Sequence, residues 1–177
     1  MFILKKVYCR IFQKVFRIAL PLLPYREPEI LESIELIPET VKKNGCKKPI
    51  IVTDKGIVNL GLIDSLVESL NKAQVPFTIY DKTVPNPTTD NVAEAYDLYK
   101  KENCDCLIAF GGGSSMDCAK ALGVQIVYPK KTLGQLKGIL KVHKKLPLLI
   151  AIPTTAGTGS ETTLAAIITD SKTRHKY

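Results

Sequence analysis

The sequence predicts an α/β fold, a parallel sheet with helices on both faces, and three observations carry that prediction. From Pro49 onward, short apolar runs alternate with amphipathic stretches of helical period. The runs, among them Ile50-Ile51-Val52 and Leu107-Ile108-Ala109-Phe110, are continuously apolar, as strands covered on both faces are. Two of them lead directly into loops rich in glycine and hydroxyl groups, the place where an open parallel sheet binds its ligands.

Each element follows from its own pattern. Met1 to Leu23 mixes bulky apolar residues with positive charges and contains no acid. Val7, Ile11, Val15 and Ile18 recur at helical spacing while Arg10, Lys14 and Arg17 fall on another face, which predicts an N-terminal amphipathic helix. Charges interrupt every apolar stretch, so the segment is not a transmembrane span, and it lacks the uninterrupted core and cleavage site of a signal peptide. The expectation is a helix packed on its own protein, with contact to a membrane surface as the less favoured alternative.

Pro21, Pro24 and Pro28 break the chain between this helix and the body, giving expected domains 1–24 and 25–177. Leu36 to Asn44 reads as a short helix ended by Gly45. Pro49–Thr53, Phe77–Tyr80, Asp105–Phe110 and Leu148–Ile152 read as strands. Leu60–Ala73, with Ile63, Leu66, Val67 and Leu70 on one face, Thr89–Glu102 and Ser114–Val124 read as the helices between them. Pro129 to Lys145 reads as a loop, a short basic helix and a second loop. Together these elements predict a Rossmann-like sheet.

With 177 residues the chain has room for one well-buried domain, and its formal charge of +8 raises the question of anionic partners. The charge is clustered at Lys5 to Arg17 and Lys130 to Lys145, without the interleaved aromatics or module of a nucleic-acid reader. No nucleic-acid partner is expected. Five cysteines in no repeated framework point to reduced thiols and a cytoplasmic protein. Cys104 and Cys106, two apart in a predicted strand, are expected on one face of the sheet.

The polar residues that stand out all fall at the carboxyl ends of strands. Asp54 follows the first, Asn86 lies in the loop after the second, and Gly111-Gly112-Gly113-Ser114-Ser115 follows the third. Pro153-Thr154-Thr155-Ala156-Gly157-Thr158-Gly159-Ser160-Glu161 follows the fourth. Glycines let a backbone approach an anion closely, and hydroxyls with helix N-terminal N–H groups supply donors to phosphate, so two such loops make a dinucleotide a natural ligand. The spacing departs from G-x-G-x-x-G, since Met116 stands at the last glycine.

Gly111 to Lys120 and Pro153 to Glu161 resemble the two signature loops of the iron-containing (group III) alcohol dehydrogenases. Val52-Thr53-Asp54-Lys55-Gly56, Pro85-Asn86-Pro87-Thr88 and Ile167-Ile168-Thr169-Asp170 resemble further segments of that family in order. The resemblance implies an N-terminal nicotinamide-dinucleotide domain and a helical, metal-carrying C-terminal domain. It assigns the pyrophosphate to Gly112, Gly113, Ser114 and Ser115, with Asn86 contributing from the neighbouring loop. It assigns the adenosine and phosphate side to Thr154, Thr155 and Thr158, and the nicotinamide half to Thr163 and Lys176. It also places Asp54 by the adenosine ribose, where a carboxylate repels a 2′-phosphate, so NAD is favoured over NADP.

Asp117 and Lys120 read as a structural pair, and Ala165 stands where many members have asparagine. The family's metal ligands, an aspartate and three histidines, find no counterpart before Tyr177, and His143 and His175 match none of them. No metal site and no catalytic acid or base is therefore expected here, and a divalent metal, iron by the resemblance, belongs to the complete protein. That protein is expected to act on an alcohol, aldehyde or ketone, with a homo-oligomer left open. Alternatives are a relative acting on glycerol or a hydroxy acid, and a dinucleotide-binding module without catalysis.

Overall fold

The structure, a computed structural model, describes residues 2–19, 28–138, 141–163 and 165–176. The chain divides into two compact units, Met1–Ile30 and Leu31–Tyr177. In the first, α1 spans Phe2–Ala19, and Val7, Ile11, Val15 and Ile18 on it are all exposed. The predicted proline break at Pro21 and Pro24 lies outside the described residues. No helix among the described residues is long and apolar enough to cross a membrane.

The second unit is the predicted Rossmann-like layer structure. Its strands are β1 (Pro49–Val52), β2 (Thr78–Tyr80), β3 (Cys106–Gly111) and β4 (Leu149–Pro153), all parallel in the order β2-β1-β3-β4. Its helices are α2 (Ile37–Lys43), α3 (Lys55–Asn59), α4 (Asp64–Lys72), α5 (Thr89–Lys101) and α6 (Gly113–Val127). Strand order reverses between β1 and β3, because β2 is laid down on one side of β1 and β3 on the other. That reversal opens a crevice at the carboxyl ends of the two strands.

Alternation along the strands divides the core between the two faces. Ile50, Val52, Leu107 and Ala109 pack with Val92 and Ala95 of α5 and with Met116, Ala119 and Leu122 of α6. Ile51, Ile108 and Phe110 point the other way, against Ile37 and Val41 of α2 and Leu66 and Leu70 of α4. Ile50, Ile51, Leu107 and Ile108 are essentially inaccessible to water. Each such side chain contributes about 1.5–3 kcal/mol through burial, so the central strands fix the sheet on which the loops are mounted.

Several boundaries and placements differ from those expected. The helix expected over Leu60–Ala73 begins only at Asp64, as α4, and α3 just before it was not anticipated, because a five-residue helix that buries only Ile57 has no period to read. Cys104 and Cys106 lie on opposite faces of the sheet. The strand starts only at Cys106, while the preceding turn, with Asn103 at φ 53°, is outside the alternation. The basic helix expected near Lys137 is a single 3-10 turn, Leu133–Leu136, closed by reciprocal Thr132 and Gln135 caps. In this segment the Lys131 and Lys144 ammonium groups lie 5.3 and 5.0 Å from the Tyr128 ring centre.

Candidate functional site

The crevice is an open cleft of about 910 Å³ at the carboxyl ends of β1, β2 and β3. Asp54, Gly112, Gly113, Ser114, Ser115, Thr154, Thr155 and Thr158 all line it. Asp54 and Thr154, 100 positions apart in sequence, thus meet because the parallel strands β1, β3 and β4 end side by side. Asn86, Thr163 and Lys176 do not line it.

Asp54 ends β1 and caps α3, its Oδ1 accepting from the Ile57 N–H at 3.1 Å. Its other oxygen faces the glycine loop: a Cβ built on Gly111 would stand 3.7 Å from Oδ2. Gly111 has φ +146°, where L side chains are rarely found, and the same Cβ would meet Ser115 Oγ at 2.5 Å. The chain therefore turns out of β3 in a conformation reserved for glycine and enters α6 at once.

The two signature loops hold each other. The Thr154 N–H donates to the Gly111 carbonyl at 2.9 Å. A Cβ on Gly112 would lie 3.2 Å from Thr155 Oγ1, and one on Gly113 would lie 3.0 Å from Ser160 Oγ. A side chain at either glycine would press on the facing hydroxyl loop, so these glycines let the two loops approach closely. Gly112 caps α6 with no side-chain hydrogen bond, leaving the first-turn N–H groups of a 15-residue helix directed at the cleft. Ser115, in that first turn, is 1% exposed and its hydroxyl has no hydrogen-bond partner within the chain. A buried unpaired hydroxyl costs about 1–3 kcal/mol, so a glycine cradle beside one fits an oxygen-rich ligand.

The remaining predicted residues are tied to this cleft indirectly. The Asn86 backbone, at φ 56°, donates its N–H to Ser114 Oγ at 3.3 Å, and Asn86 Oδ1 accepts from Lys176 Nζ at 2.7 Å. Thr163 accepts from Lys120 Nζ at 2.9 Å. The Lys120 ammonium also donates to the Ala165 carbonyl at 3.0 Å, so this position is used through its backbone. Asp117 Oδ2 accepts from the Ile167 N–H at 3.2 Å, with its other oxygen 4.0 Å from Lys120. Burial pushes the Asp117 carboxyl up and the Lys120 ammonium down, and each partner's charge opposes that shift. The pair ties Thr163, Ala165 and Ile167 to α6.

The sequence reading missed the wall supplied by β2 and α5. Lys55, Asp81, Lys82, Thr83 and Glu94 also line the cleft. Lys82 Nζ lies 3.8 Å from Glu94, and buried Asn91 donates to the Lys82 carbonyl at 2.9 Å and to the Tyr80 hydroxyl at 3.3 Å. The strand-end rule that found Asp54 applies equally to Asp81, Lys82 and Thr83, which follow Tyr80. Glu94 carries no comparable signal, since it lies within a helix.

One group of metal-type donors exists among the described residues: Cys46, Asp105 and Cys106. It sits at the amino ends of β1 and β3, the opposite end of the sheet from the cleft. Asp105 is already occupied, accepting from the Lys47 and Lys48 N–H groups at 2.7 and 3.0 Å, and burial pushes both thiols up, holding them protonated. This set does not fit an iron centre beside the cleft.

A parallel sheet with a reversal point, a glycine cradle on a helix N-terminus and a facing hydroxyl loop define a nucleotide-binding α/β unit. Residues 31–177 match the iron-containing alcohol dehydrogenase family, and the chain belongs to that family as its N-terminal, nucleotide-binding part. Among relatives, it is 44% identical over 141 residues to a choline dehydrogenase of Bacillus subtilis, covering 78% of this chain and 35% of that protein. Among solved structures, an alcohol dehydrogenase from Oenococcus oeni matches with a TM-score of 0.75 and 43% identity, covering 81% of this chain and 38% of the other. A sulfoacetaldehyde reductase from Bifidobacterium kashiwanohense, solved in complex with NAD+, matches with a TM-score of 0.71 and 30% identity, covering 81% and 38%. The chain thus spans little more than a third of the length of these proteins.

Proposed function

We propose that residues 25–177 form the NAD-binding portion of a cytoplasmic, metal-dependent alcohol dehydrogenase that moves hydride between NAD(H) and an alcohol or its aldehyde or ketone. The observation that supports it most is the meeting of Asp54, the Gly111–Ser115 turn and the Thr154–Thr158 loop in one cleft. When bound, NAD supplies a carbon that accepts or returns hydride. The chain's own residues bind and orient. First-turn N–H groups of α6 and the Ser114 and Ser115 hydroxyls donate to the pyrophosphate oxygens, where the helix dipole favours negative charge.

Thr154, Thr155 and Thr158 close the adenosine and phosphate side. Asp54 uses one oxygen to cap α3, leaving the other to accept from a ribose hydroxyl. Thr163 and Lys176, held by Lys120 and Asn86, serve the nicotinamide half. The metal that would polarise the substrate oxygen has no place among the described residues, so no step is assigned to it here.

The test is a pair of dissociation constants, for NAD and NADP, on the chain and its Asp54→Asn and Asp54→Gly variants. Asparagine can keep the α3 cap and removes the charge, while glycine at a cap position costs only a few tenths of a kcal/mol. A like charge at about 6 Å in a watery cleft is worth ~0.7–1.4 kcal/mol, so the NADP-to-NAD preference should rise roughly three- to tenfold in both variants. An unchanged ratio would remove Asp54 from the ribose.

A further inference from the structure

α1 joins two features that the nucleotide cleft leaves unexplained. At about 100° per residue, Val7, Ile11, Val15 and Ile18 fall within an arc of roughly 80°, and Lys6, Arg10, Lys14 and Arg17 fall within the adjoining arc of similar width. The four apolar residues are between 50% and 75% exposed, and the four basic ones are exposed too. No acid occurs between Met1 and Leu23. The first turn likewise lacks the acid that usually offsets the positive end of a helix dipole.

We propose that α1 is an interfacial helix that docks the protein on an anionic phospholipid bilayer. The apolar arc enters the boundary between headgroups and acyl chains, while the basic arc meets lipid phosphates at its edge. Lysine and arginine suit that edge because their aliphatic stems lie along apolar surface while the charge reaches water and phosphate. A second copy of α1 is the poorer partner, since pairing the apolar arcs would set two acid-free positive arcs side by side. Nucleic acid would meet the charges and leave the exposed apolar arc without a role. This inference does not depend on the cofactor reading.

The chain contains no tryptophan, so a single introduced indole reports its own site. Ile11→Trp and Gln13→Trp place it on the apolar arc and beyond the basic arc respectively. With phosphatidylcholine vesicles containing phosphatidylglycerol, the expected result is a blue shift of Ile11→Trp emission, a smaller one for Gln13→Trp, and co-sedimentation that weakens at high salt. Vesicles of phosphatidylcholine alone should bind far less. Each cation contributes about fivefold to partitioning, so the triple variant Arg10→Gln, Lys14→Gln, Arg17→Gln should bind about a hundredfold more weakly. Emission from Ile11→Trp that is already blue-shifted without vesicles would overturn the proposal in favour of a protein partner. So would concentration-dependent dimerisation abolished by Ile11→Ser, or equal binding to neutral and anionic vesicles.

Discussion

Replacing Gly111 by alanine tests whether the cradle is built as described. Its φ of +146° lies where a side chain is strained, a cost of about 1–3 kcal/mol. The added methyl would stand 2.5 Å from Ser115 Oγ and 3.0 Å from Ser115 Cβ, and Ser115 is buried in the first turn of α6, so it cannot swing clear. Overpacking of that kind costs a further ~1–3 kcal/mol.

The sum, about 2–6 kcal/mol, is a large part of the ~5–15 kcal/mol by which domains are stable. At ~2–4 °C per kcal/mol for a unit of this size, the melting temperature should fall by roughly 4–24 °C. Thermal melting followed by circular dichroism, with urea titration for the free energy, reads this directly. Adding Ser115→Gly to Gly111→Ala should recover the overpacking part and leave the backbone part, because only the contact is relieved. A Gly111→Ala protein that melts within about 1 °C of the wild type would refute the conformation assigned to this turn.

Other expectations follow from the same geometry. In the native chain a thiol reagent should label Cys9 and Cys46 and spare buried Cys104, Cys106 and Cys118 until the protein is unfolded, as mass spectrometry of the labelled chain would show. Burial raises the Cys118 thiol from 9.0 to about 12, so the protonated form it favours supports folding below pH 9 and that support is lost progressively as pH rises from 9 towards 12. Alkaline unfolding should therefore steepen above pH 9, and Cys118→Ala should flatten that part of the stability curve. Lys120→Met should free the Thr163–Ile167 segment, which limited proteolysis would detect as faster cleavage there with little change elsewhere. Incubated with NAD, short alcohols and Fe²⁺ or Zn²⁺, the 177-residue chain should give no rise in NADH absorbance; metal-dependent turnover would show that the chemistry has been misplaced.

What the sequence disclosed depended on how local the signal was. β1 and β3 were legible because strands covered on both faces leave uninterrupted apolar runs, the half-buried edge strand β4 because its run is apolar too, and α4 and α5 because one face of each is buried. α3 was invisible, since its only buried residue is Ile57 and its cap, Asp54, already had another reading. Cys104 was misassigned because alternation was extended past the true start of β3. In the site, glycines and hydroxyls at strand ends announced themselves, whereas Lys82 and Glu94 joined the cleft through the parallel register of β2 on β1 and the packing of α5. The Lys176–Asn86 bond spans 90 residues, and no local pattern encodes such a pairing.

In the proposed complex a dinucleotide pyrophosphate is held where β1 and β3 diverge. A chain of 19.5 kDa allows that to be followed amide by amide in a titration of ¹⁵N-labelled protein with NAD. The largest saturable shifts are expected at the amides of Gly112 to Ser115, with smaller ones at Asp54 and from Thr154 to Thr158, and little change at the amino ends of the strands near Cys106. Saturable NAD binding that leaves Gly112 to Ser115 unmoved, or no binding at millimolar NAD, would contradict it.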